Sequence, residues 1–158
     1  MTTPTHEYEL SIDRVLDARR ENVWRCWTEP ELLKRWFTPK PYETPSAELD
    51  VRPGGKILIT MRSPEGEEFP NPGVYLEVVE NEKLVMTDAY TQAWKPSGKA
   101  FMTTIIELED AGEGKTRYLA RALHWSAEDH ESHEKMGFEE GWGKATDQLE
   151  ELAKSLEV

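Results

Sequence analysis

The sequence predicts an α+β fold: a curved seven-stranded antiparallel sheet around a long C-terminal helix, with two short helices after the first strand. Three observations carry this. Apolar and polar residues alternate through seven segments, six of them consecutive and separated by short turn sequences. Phe138, Trp142, Ala145, Leu149, Leu152 and Leu156 instead recur at steps of three and four, as on a helix with one buried face. One helix cannot cover seven flat strands, so the sheet must curve around it and leave an interior prone to cavities.

The elements follow in order. "EYELSIDRVLD" alternates as a strand. "ARRENVWRCWTEPELLKRWF" reads as two short helices, with Val23, Trp24 and Trp27 on one apolar face and Leu32, Leu33, Trp36 and Phe37 on the next. Between them Thr28 is placed to cap the second helix, with Glu31 completing a capping box and Pro30 in the first turn. "TPKPYETP" is too rich in proline to continue a helix. "AELDV" and "KILITM" read as a hairpin through "RPGG", where Gly54 and Gly55 are expected to supply positive φ. "SPEGEEFPNPG" reads as a polar loop. "VYLEVV" and "KLVMTDA" pair through "ENE", and "AYTQAWKPSG" is a longer connection. "AFMTTIIELE" and "TRYLARALHW" pair through "DAGEG". "SAED" is a second capping box opening toward the terminal helix, with Ser126 as the cap.

"MGFEEGWGKATDQLEEL" reads as the start of that helix and yet holds three glycines, each costing about 1 kcal/mol inside a helix. The helical wheel sets Gly137 and Gly141 along the apolar stripe and Gly143 on the charged side. Gly141→Leu is therefore expected to overpack a crowded junction, and Gly143→Ala to be harmless.

At 158 residues the chain is expected to form one domain, residues 1–158. A net charge of −12 argues against nucleic acid and anionic membrane surfaces as partners. The single cysteine, Cys26, permits no internal disulfide and fits a reducing cytoplasm. No segment reads as an export signal or a membrane span. The expected setting is a soluble cytoplasmic one.

"RVLDARRENVWRCWTEPELLKRWFTP" resembles the opening of the activator-of-heat-shock-protein-90-ATPase homologue family, a branch of the START-like (SRPBCC) superfamily. "LDVRPGGKILITM", "GVYLEVVENEKLVMT" and "EEGWGKATDQLEEL" match its later blocks in the same order, so the likeness covers nearly the whole chain. It implies the helix-grip fold, with an apolar cavity between the sheet and the C-terminal helix. The chain has Trp36, Phe37, Thr38 and Pro39 where many relatives have Trp-Trp-Gly-Pro, a change at the cavity mouth. It has Ala18, Arg19 and Arg20 where many have Ala-Pro-Arg.

No nucleophile elbow, Walker loop or dinucleotide fingerprint occurs, and "RPGGK" sits in a hairpin turn with no helix after it. The motifs weigh against an enzyme. Cys26, between two tryptophans, reads as a packing residue. His130 and His133 fall among glutamates and read as a polar surface; no metal and no cofactor is expected. His124 differs: alternation puts Tyr118, Ala120, Ala122 and His124 on the face opposite Arg117 and Arg121, and so inward. Aromatic residues are spread over the elements that enclose a helix-grip cavity, including Trp24, Trp27, Tyr90 and Phe101, and Trp94 suits a lid or partner surface. The expected ligand contacts are Trp36, Phe37, Tyr75, Met86, Tyr118, His124, Phe138 and Trp142. The function read from this is binding of a small apolar or aromatic molecule. A chaperone ATPase-interacting protein and a cyclase- or hydrolase-like enzyme using the same cavity are the alternatives, and a chaperone and a second copy (a homodimer) remain open as protein partners.

Overall fold

The computed structural model describes residues 8–92, 95–97 and 100–156. The first strand, β1 (Glu9–Leu16), leads into α1 (Arg20–Thr28) and α2 (Pro30–Leu33). Four strands follow: β2 (Glu43–Leu49), β3 (Lys56–Arg62), β4 (Glu68–Val79) and β5 (Lys83–Thr87). A small hairpin of β6 (Tyr90–Gln92) and β7 (Lys95–Pro96) lies within the long connection, ahead of β8 (Met102–Gly112) and β9 (Lys115–His124). Two helices close the chain, α3 (Ala127–Lys135) and α4 (Phe138–Ser155).

The main sheet has seven strands in the order β1-β9-β8-β5-β4-β3-β2, all neighbours antiparallel. Only the first strand is out of sequence order, because α1 and α2 carry the chain from one edge to the other. α4 buries Phe138, Ala145, Leu149 and Leu152, the stripe expected from its periodicity, at roughly 1.5–3 kcal/mol for each large side chain. They join one core with Ile12 of β1, Ile106 of β8, Tyr118 of β9, Tyr75 of β4 and Ile57 of β3. One helix thus draws on strands across the sheet, which is the helix-grip arrangement of an α+β fold.

On β9, Tyr118, Ala120, Ala122 and His124 are buried, as alternation predicts. Arg117 and Arg121 lie on the other face and form a cross-strand ladder of charge. Arg121 meets Glu9 of β1 at 2.9 Å and Glu107 of β8 at 3.7 Å; Arg117 meets Asp13 at 2.9 Å and Glu109 at 3.7 Å.

Several expectations are corrected. Thr28 does not cap α2: its hydroxyl donates back to the Trp24 carbonyl at 2.8 Å, and Glu29 holds the cap position without a side-chain bond. Of the two turn glycines only Gly54 has positive φ (81°). Gly55 is needed for space, since a Cβ there would strike the Asp50 and Arg52 carbonyl oxygens. The "SPEGEEFPNPG" loop ends early, because β4 already begins at Glu68 and runs through two prolines. The Tyr75 N–H donates to Gly55 on the β3 side, so the even positions turn their nitrogens away from β3. Pro70 and Pro72 are even, and β5 does not reach them, so no ladder bond is lost.

The C-terminal segment is two helices rather than one. Ser126 caps α3 by accepting from the Asp129 N–H at 3.1 Å, as its capping box predicts. Gly137, at φ 87°, then breaks the chain direction before α4. Gly141 is not crowded: an added Cβ would have nothing within 4 Å. Gly143 is the buried one: an added Cβ there would lie 3.0 Å from the Arg14 guanidinium. The charged side of α4 faces β1, where Arg14 meets Asp147 at 2.7 Å and Glu150 accepts from the Asp17 N–H at 2.7 Å.

Candidate functional site

The eight expected contacts separate into three places on the inner side of the sheet. Trp36, Phe37 and Tyr118 gather around Trp27. Trp36 packs edge-on against Trp27 with ring centres 4.9 Å apart, and Phe37 packs on both at 5.7 and 6.0 Å. The polar edges are tied down. The Trp36 indole donates to the Cys26 carbonyl at 2.9 Å, and the Trp27 indole donates to the Tyr118 hydroxyl at 3.1 Å. Cys26 is buried, as expected of a packing residue, and burial pushes its thiol up to about 12.

Tyr75 and Met86 face each other on β4 and β5 within the core. Tyr75 is wholly buried, and its hydroxyl has no hydrogen-bond partner among the described residues. Burial first, and the charge of Asp50 second, raise its pKa. Tyr118 shares this trait in part. Its oxygen accepts from Trp27, burial holds the phenol protonated, and its own proton has no acceptor among the described residues.

His124, Phe138 and Trp142 form the third group, together with residues the sequence did not assign to the site. His124 is 1% exposed, inward as alternation predicts. Its Nδ1 lies 2.8 Å from the Tyr8 carbonyl, which can only accept, so that nitrogen carries the proton. His124 Nε2 lies 2.7 Å from His133 Nδ1, and with both rings neutral His133 is the donor. His133 is therefore not on a polar surface; it is buried, packed edge-on to Phe138 at 5.0 Å and to Trp142 at 6.0 Å. Burial first, then His124 and His130, lower its pKa to about 4. Phe101 closes the group at 5.4 Å from His124 and 5.3 Å from His133, and Phe138 stacks on Trp142 at 4.6 Å. Asp88 pins Phe101 by accepting its N–H at 2.8 Å.

His130 is half-buried, its ring 5.6 Å from His124. A signal for the two helix histidines existed. Between Ala127 and Lys135 there is no Leu, Ile or Val, so His130 and His133, spaced by three, are the least polar long side chains that α3 can bury. Among the described residues no group of three or more His, Cys, Asp or Glu is placed to hold a metal ion. Chemically, the pair can store or pass one proton between imidazoles in an apolar box. Trp94, read as a lid, lies outside the described residues.

A cleft of about 480 Å³ opens elsewhere, between the α2–β2 connection and α4, and none of the eight residues lines it. Among the described residues no helix is long and apolar enough to cross a membrane.

Known proteins supply the lineage. No curated protein matches the chain. Protein NE0264 from Nitrosomonas europaea is 44% identical over 92% of this chain and 94% of its own, with a TM-score of 0.89. Protein Ms6760 from Mycobacterium smegmatis shares the fold at 22% identity and TM-score 0.78, over 99% of both chains. An AHSA1-like protein from Aeromonas hydrophila shares it at 15% identity and TM-score 0.71, over 93% of this chain and 92% of its own. The family model described as activator of Hsp90 ATPase homolog 1-like protein matches residues 17–154. With that span and the helix-grip fold in agreement, the chain belongs to the AHSA1 family, in the START-like group.

Proposed function

We propose that the chain is one START-like domain that holds a small apolar or aromatic molecule between the inner face of its sheet and α4. The observation that carries this is the Tyr75 hydroxyl, wholly buried and without a partner among the described residues. Leaving such a group unpaired costs about 1–3 kcal/mol, which a ligand accepting or donating one hydrogen bond would offset. The unused Tyr118 proton supports the same reading, and Trp36, Phe37, Met86, His124, Phe138 and Trp142 supply the apolar or flat walls.

Native mass spectrometry of freshly purified protein should show a retained small molecule, and neutral Nile red should quench tryptophan fluorescence saturably. Tyr75→Phe separates ligand from fold. It should leave the unliganded protein as stable or about 1 kcal/mol more stable, because it deletes an orphaned polar group. It should also weaken retention of any ligand that bonds to the hydroxyl. No retained molecule together with no saturable quenching would remove the proposal.

A second reading rests on the family description and on two exposed apolar side chains at the ends of α3. Trp125 is 58% exposed and Met136 68%. They would serve as contacts for a chaperone ATPase. A chaperone ATPase rate that is unchanged by added protein sinks that reading.

A further inference from the structure

We propose that the surface cleft between the α2–β2 connection and α4 is a second binding site, for the oxyanion of a small organic molecule: a carboxylate or a phosphate monoester. The chain carries 31 acidic and 19 basic residues, so most of its cations are expected to be neutralised locally. Many are, in ion pairs on every face. In this cleft two cations are left over side by side. Arg35 and Lys40 both line it, both are exposed, and neither has an ion pair among the described residues. Lys34 adds a third positive charge and leans on Glu31 of its own helix at 3.1 Å. Glu43, the carboxylate on the cleft wall, is drawn away by Arg62 at 3.3 Å.

The floor adds a second, independent observation. Thr38 and Thr44 line the cleft, are each 5% exposed, and bond to each other through their hydroxyls at 3.0 Å. Two hydroxyls carry two protons, and the shared bond uses one. The other has no acceptor among the described residues, so a buried donor waits beneath the unpaired cations. The wall is rigid. Gln148 of α4 donates to the Trp36 and Thr38 carbonyls at 2.8 and 2.7 Å and accepts from the Lys40 N–H at 3.2 Å. Fixed donors and cations around a concave space favour an anion with oxygen acceptors, which would gain charge-assisted bonds from the arginine. A cleft of about 480 Å³ admits an organic body beside the headgroup, resting against Tyr42.

Amide chemical-shift titrations with inorganic phosphate, phenyl phosphate and benzoate test this and tell the two oxyanions apart. Saturable shifts should cluster at Thr38, Lys40, Tyr42 and Thr44, with one aromatic ligand bound more tightly than phosphate alone. Arg35→Gln with Lys40→Gln should weaken that ligand at least tenfold, and Thr44→Val severalfold. Lys56→Gln with Lys115→Gln removes the same charge at two exposed lysines outside the cleft and should leave affinity within twofold. Both pairs lie on the surface, so melting curves should coincide with wild type. Shifts that grow linearly with all three probes, or equal weakening by the two double variants, would overturn the site and leave only diffuse charge screening.

Discussion

The two aromatic ends of the inner face are built alike and behave differently. At one, Trp27, Trp36, Phe37 and Tyr118 pack edge-on, and their polar atoms are two indole donors, a carbonyl and a phenol. At the other, Phe101, Phe138 and Trp142 surround two imidazoles that share one proton. Indole does not titrate, and burial raises the Tyr118 phenol well beyond the working range. Imidazole does titrate, and burial opposes its charging. The first end is therefore a static wall and the second a pH-dependent one. Packing density alone would not tell them apart.

The largest expected effect lies at the static end. Trp36→Ala should cost about 3–5 kcal/mol in urea unfolding, with nearly the same loss at pH 5 and pH 8. A loss that changes markedly between those pH values would break the comparison. The next lies at the histidine end. The folded-state pKa of His133, about 4, is below the ordinary 6.5. As pH falls, the unfolded chain takes up a proton there before the folded one does. The stability from a neutral His133 is thus complete above pH 6.5 and is lost between about 6.5 and 4, by on the order of 3 kcal/mol. A proton NMR titration of the His133 ring should show its midpoint near 4, and a midpoint above 6 would cancel the contrast. His124 and His130 face His133 and must be followed in the same titration.

Smaller effects sharpen the geometry of the histidine end. Gly137 sits at φ 87° between His133 and Phe138, so Gly137→Ala should destabilise by about 1–2 kcal/mol, read from thermal melts. One turn on, Gly141 has open space, and Gly141→Ala should stabilise by up to about 1 kcal/mol through helix propensity. If the two substitutions act equally, the break between α3 and α4 is not where it is placed.

Local pattern was enough for several roles that depend on a residue's own strand or helix, although the Thr28 cap and the turn at Gly55 were misread. The inward set of β9 through His124, the apolar stripe of α4 and the Ser126 cap follow from spacing alone, because the backbone forces those periods. The blocks of resemblance supplied the helix-grip fold. What failed were judgements that depend on how a helix docks. His133 reads as solvated among glutamates until α3 docks on β9, and Gly143 reads as free until β1 brings Arg14 to it.

The sequence by itself determined the seven strands, the antiparallel pairing of those joined by short turns and the inner aromatic set, since period and turn chemistry act over a few residues. Tertiary structure alone decided the proton shared by His124 and His133, the orphaned Tyr75 hydroxyl and the cationic cleft over Thr38 and Thr44. The first two depend on burial and the cleft on convergence; the shared proton and the cleft each join groups far apart in the chain or on separate elements. Such features exist only once the sheet has closed around α4.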